Sequence, residues 1–134
     1  MKHYIFIGIA VITVLSIAQT EPNLSKHQPA DEYENIHIEK IANDSNQTSF
    51  LIWIKKEVAL HKHEWHTENV YILDGKGEFT LGDEKFITQK GDYFNIPKGT
   101  PHGLKVLSSA PMKVLSIQSP HFDGSDRILI SQPE

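Results

Sequence analysis

The chain has 134 residues, 39% of them hydrophobic, a formal net charge of −4 and no cysteine. That is enough for one folded domain with a modest core and too little for two. The negative charge and the lack of any basic patch speak against nucleic acid as a partner. Twelve of the thirteen basic residues are Lys, and Arg127 is the only Arg. Arg is the usual bidentate clamp for phosphate, so a strongly anionic phosphorylated substrate is disfavoured.

Residues 1–18 read as a secretory signal peptide. Lys2 supplies the positive start, Tyr4 to Leu15 is almost wholly apolar, and Ser16-Ile17-Ala18 offers a small-x-small cleavage site. The apolar run is shorter than the roughly 20 residues a spanning helix needs, which favours removal over anchoring. The expected location is therefore periplasmic or secreted, with no membrane attachment after cleavage. No Cys follows the run to carry a lipid, and none is present to form a disulfide. Stability must come from the core, a metal or oligomerisation.

Residues 19–32 are polar, contain Pro22 and Pro29, and show no periodicity; they read as a flexible N-terminal arm. From residue 33 to 131 short apolar runs alternate with turns. Ile36, Ile38 and Ile41 mark a first strand. Phe50 to Ile54 is continuously apolar and suits a strand buried on both faces. Val70 to Leu73 follows, then a turn over Asp74 to Gly77. Phe79 and Leu81 alternate with polar residues, Gly82-Asp83 is a hairpin signal, and Phe86-Ile87 lies on the return. Tyr93 to Ile96 ends at Pro97, Leu104 and Val106 alternate with Lys105, and Met112 to Ile117 forms a further strand. Pro120 and Gly124 break the chain before a terminal strand over Ile128 to Ile130. Strands at this spacing, with no sustained helical period, predict an all-β sandwich or barrel. Asn43 and Asn46 open two N-x-S/T sequons in a polar turn; a turn rich in Asn and Ser is the simpler reading.

The densest chemistry lies at His61-Lys62-His63-Glu64-Trp65-His66-Thr67-Glu68. On a strand, residues i and i+2 share a face, so His61 and His63 can aim at one point. Glu68 opens the next apolar strand, where an unpaired carboxylate is costly to bury. That cost favours Glu68 over Glu64 as a ligand. His102 opens a strand just after a turn fixed by Pro97, Gly99 and Pro101. Imidazoles plus one carboxylate suit one divalent first-row metal: iron, manganese, nickel or zinc.

Residues 61–75 run His-x-His, four residues, Glu68, six residues, Gly75; residues 91–102 run Gly91, five residues, Pro97-x-Gly99, two residues, His102. Joined by the fifteen residues 76–90, these resemble the two motifs of the cupin family. The resemblance implies a single-domain double-sheet jelly-roll barrel over residues 33–131. It also implies one divalent metal held by His61, His63, Glu68 and His102, with positions left open, and a homodimer. Lys55 and Val106 depart from the pattern, where the family has Gly and Asn. The first puts the turn before the histidine strand in question; the second leaves a more apolar wall. The tail from Gln118 to Gly124 also resembles that of some single-domain bacterial cupins.

Around this set, His66 and His121 read as exposed turn or tail histidines, and Lys98 as a solvated turn lysine. Trp53, Tyr71, Phe79, Phe86 and Phe94 read as barrel packing. No spacing identifies a catalytic residue; Glu64, His66 or a cavity Tyr are the acid–base candidates. Two functions stay open: a metal-dependent enzyme of dioxygenase, decarboxylase, isomerase or lyase type acting on a small polar oxygen-bearing molecule, and a non-catalytic barrel that binds a metal or small ligand.

Overall fold

The structure is a computed structural model describing residues 23–131. The expected signal peptide lies outside the described residues, as do residues 19–22 of the arm. Ten strands follow in chain order: β1 Ile36–Asn43, β2 Thr48–Ile54, β3 Glu57–Lys62, β4 Thr67–Asp74, β5 Lys76–Leu81, β6 Glu84–Gln89, β7 Tyr93–Ile96, β8 His102–Val106, β9 Met112–Ser119 and β10 Ile128–Leu129. They form two five-stranded antiparallel sheets, ordered β1-β2-β9-β4-β7 and β10-β3-β8-β5-β6. This is the all-β arrangement that the spacing of apolar runs and turns predicts, and the double-sheet jelly roll that the cupin resemblance implies.

The core lies between the sheets. Ile54, Val70, Ile72, Ile96, Met112 and Val114 come from the first sheet, and Phe79 and Leu104 from the second. Period-2 alternation puts them on the inward faces, and burying each large side chain contributes roughly 1.5–3 kcal/mol. The anticipated turn over Asp74 to Gly77 shrinks to one residue. Gly75 alone separates β4 from β5, at φ +88°, where an added Cβ would sit 2.8 Å from Met112 Cα. Only glycine fits so tight a corner between sheets, and Lys76 and Gly77 already pair in β5.

Two-sided burial of β2 is met in an unexpected way. Ile54 faces the core, whereas Trp53 packs on the outer face of the sheet, between His37 and His27 with ring centroids 5.5 and 5.9 Å away. Trp53 is therefore not packing inside the barrel. The described part of the arm covers it: the Lys113 ammonium donates to the carbonyls of Leu24, Ser25 and His27 at 3.1, 2.9 and 2.7 Å. Burial there lowers the Lys113 pKa. Phe79 and Phe94 stack at 4.1 Å, while Tyr71 and Phe86 lie at the surface, 39% and 38% exposed.

Lys55 is accommodated without glycine, because no non-glycine residue takes positive φ among the described residues. Asn35 holds this turn, its Oδ1 accepting from Lys56 N and Glu57 N at 2.9 and 3.2 Å. Val106 packs against the core cluster.

Candidate metal centre

Three pieces of the fold bring the four expected residues together. His61 and His102 face each other across the β3–β8 pair. The register slips between Val58 and His61, so β3 carries an extra residue opposite Gly103. A Cβ on Gly103 would come within 3.0 Å of Val58 O, so glycine makes room for this bulge. Bulges re-aim side chains, and this one lies beside the cluster. His63 stands one residue beyond the end of β3, not on the strand as expected. Gly99, at φ +75°, donates to His63 O at 2.6 Å and ties the β7–β8 turn to it. Glu68 is the second residue of β4 and points inward like Val70 and Ile72.

All four side chains are buried, and their candidate ligand atoms lie within 4.8 Å of one another. Each histidine presents Nδ1 to a backbone carbonyl: His61 to Ala59 at 2.9 Å, His102 to Thr100 at 3.0 Å, and His63 to Asp126. A carbonyl only accepts, so each Nδ1 carries the hydrogen and each Nε2 is left for the interior. There they meet Glu68, whose Oε2 is 3.0 Å from His102 Nε2 and 3.4 Å from His63 Nε2. The second contact is too poorly formed for a hydrogen bond, and His63 Nε2 is left buried without a partner. Lone pairs converging in this way repel unless protons or a cation stand between them. Three imidazole nitrogens and a carboxylate fit a divalent first-row metal.

Electrostatics prepare the same state. Burial pushes His61 down to about 4, helped by His102 and Arg127, so it is neutral at pH 7. Burial also penalises charged His63, but Glu68 and the Asp126 carbonyl outweigh it and the net shift is upward. Burial would raise Glu68, yet its contact with His102, the neighbouring His63 imidazole and the hydrogen bond from Ser116 prevail and keep it ionised.

The chain's tail supplies what local sequence patterns do not reveal. His66, expected to be an exposed turn histidine, is buried. Its Nδ1 meets Asp126 Oδ2 at 2.6 Å and its Nε2 meets His121 O at 2.9 Å. The Asp126 carboxylate also accepts from Glu64 N at 2.9 Å and Trp65 N at 2.7 Å. Desolvation would raise Asp126, but these donors, His66 first, hold its carboxyl below the usual range. Asp126 thus fastens the tail to the β3–β4 turn while its carbonyl orients His63. Phe122 sets its ring edge-on to His66 and His63, with centroids 5.0 and 5.5 Å away. The contacts to Asp126 span about sixty residues and leave no local pattern; the tail resemblance ends at Gly124 and does not reach it. Glu64 turns outward to pair with Lys62. Lys98 and His121 are exposed.

A cavity of about 400 Å³ opens from the cluster. Its wall is mostly apolar, and Gln118 and Arg127 are its polar groups beyond the four.

The family model of the cupin domain matches residues 48–118, more than half of the sequence. The chain belongs to the cupin family. Among curated proteins, this cupin is 37% identical over 76 residues to an uncharacterised protein of Methanocaldococcus jannaschii, covering 57% of this chain and 61% of that one. It is 47% identical over 49 residues to the quercetin 2,3-dioxygenase of Bacillus subtilis, covering 37% of this chain and only 14% of the enzyme. Among solved structures, KdgF from Halomonas sp. superposes with a TM-score of 0.65 at 26% identity, covering 74% of this cupin and 93% of KdgF. The match to these two curated relatives thus takes up less than two thirds of their length.

Proposed function

We propose that this cupin is an exported metal-dependent enzyme, holding one divalent ion through His61, His63, Glu68 and His102. One observation carries the reading: three buried imidazoles have their Nδ1 hydrogens committed to carbonyls, so that their Nε2 atoms converge on a buried carboxylate. A bound metal with open positions would supply Lewis-acid or redox chemistry, polarising a carbonyl or activating water or dioxygen. Among relatives, the short but close match to quercetin 2,3-dioxygenase supports oxidative chemistry.

The protein's own groups divide the remaining work. His66 is committed to Asp126 and His121, so it positions the loop and does not exchange protons with substrate. Glu64 is engaged with Lys62, and no tyrosine lines the cavity among the described residues. Glu68 and Gln118 are then the groups placed to accept or donate a hydrogen bond at the reacting end. Phe122 and the apolar wall line the rest of the cavity.

The test is to load the purified chain with iron, manganese, nickel or zinc in turn. Oxygen uptake, carbon dioxide release and isomerisation are then followed over a panel of oxygen-bearing small molecules. Turnover that disappears in His102→Ala is expected. A loaded protein that turns nothing over, with ligand binding unchanged in His102→Ala, would contradict it and leave a ligand-capturing barrel. Export and pairing belong to the same proposal. A mature N-terminus near Gln19 and a dimer in light scattering are expected; an intact N-terminus or a monomer at high concentration would refute them.

A further inference from the structure

We infer that the cavity takes an amphipathic carboxylic acid, with its carboxylate paired to Arg127, a neighbouring oxygen at the four-residue cluster, and an apolar body along the first sheet. The assignment deepens the proposed metal centre and relies on it only for the contact to the second oxygen.

The wall decides the body. Ile36, Ile38, Phe50 and Ile52 line one side of the cavity, with Val58 and Phe79 among the residues opposite. A wholly polar ligand would leave this surface uncompensated, and the volume suits a small organic molecule. Polar groups decide the head. Gln118 pairs with Glu68 across β9 and β4, so both side chains stand on the same inward face. It is 94% buried, and its Oε1 has no hydrogen-bond partner. It is poised to meet a hydroxyl or another donor on the ligand.

Arg127 decides the charge. It immediately precedes Ile128, which pairs with Lys62, and this brings it beside His63 as an exposed residue of the cavity lining. It is the only Lys or Arg among the lining residues. Its acidic neighbour Asp126 is taken up by His66, Glu64 N and Trp65 N. Among the described residues, Arg127 makes neither an ion pair nor a side-chain hydrogen bond. A planar guanidinium with unused donors matches a carboxylate in two-point geometry. A phosphate would bring two charges to a single cation, which makes it the poorer fit.

The probes are 2-oxooctanoate, octan-2-one, which lacks the carboxylate, and pyruvate, which lacks the apolar body. Binding is read by titration calorimetry on the metal-loaded and the metal-stripped chain. Loaded protein should bind 2-oxooctanoate at least about tenfold tighter than either comparator. Arg127→Gln should weaken 2-oxooctanoate by roughly fivefold or more and leave octan-2-one unchanged, the partial exposure of the pair limiting the effect. Arg127→Lys should recover part of the loss, and both variants should keep wild-type metal stoichiometry. Equal affinity for 2-oxooctanoate and octan-2-one, no effect of Arg127→Gln, or no binding at millimolar concentration would overturn the assignment. The two readings fail separately. Arg127-dependent binding in a chain that holds no metal sinks the metal centre and keeps this inference. A loaded chain indifferent to Arg127→Gln does the reverse.

Discussion

Three strands run from one kind of chemistry to another along the same inward face. β4 presents Glu68, then Val70 and Ile72. β8 presents His102, then Leu104. β9 presents Met112 and Val114, then Ser116 and Gln118. One end of the barrel is a packed apolar core, and the other is a buried polar cluster beside an apolar cavity. The backbone is the same at both ends, so only the side chain at every second position changes. The core end stabilises the fold by burial. The site end tolerates buried charge because hydrogen bonds hold each group, and a cation would complete it.

The comparison can be broken from either end. The largest effect is expected from His61→Ala, which should abolish stoichiometric metal binding while leaving a folded barrel. Elemental analysis and circular dichroism check the two halves of that statement. Next is Ile72→Ala at the core end. It should cost about 2–5 kcal/mol in denaturant unfolding because the cavity it leaves cannot fully collapse. Metal stoichiometry should be unchanged. Asp126→Ala follows in size of effect. Losing the tail clamp frees the orientation of His63, and metal affinity should fall about 10- to 100-fold by titration calorimetry.

The smallest of the four is a pH effect. His63 has its value raised above the usual 6.5, so protons compete for it in the metal-free chain. His61, near 4, offers almost no competition. Metal binding displaces the His63 proton, so affinity should rise with pH through and above 6.5 and then level off. Stability of the metal-free chain carries the opposite sign for His63: its contribution is full below 6.5 and is lost as pH rises through its folded value. A metal affinity flat between about pH 5.5 and 8 would show that His63 is not a ligand.

Much of this architecture is legible in the amino-acid sequence. Short apolar runs, some continuous and some alternating, mark most of the strands, and Gly82-Asp83 marks a hairpin. Strand geometry brings His61, His63 and, past a short turn, Glu68 towards one point, and the cupin resemblance of residues 91–102 adds His102 to the set. What escapes depends on contacts distant in sequence. The burial of His66 is decided by Asp126, sixty residues away, and no local pattern separates it from an exposed turn histidine. Trp53 packs outside the barrel because the arm and Lys113 cover that face. The bulge in β3 leaves only Gly103 as its trace. The apolar cavity arises from residues on several strands, none of them unusual alone.

The central claim is that four converging side chains hold one metal. The most direct measurement is calorimetric titration of the metal-stripped chain with manganese, iron, nickel and zinc ions, alongside His102→Ala. One site per chain, lost in the variant, is the predicted result. No binding by the stripped chain, or binding that survives in His102→Ala with unchanged stoichiometry and affinity, would contradict it.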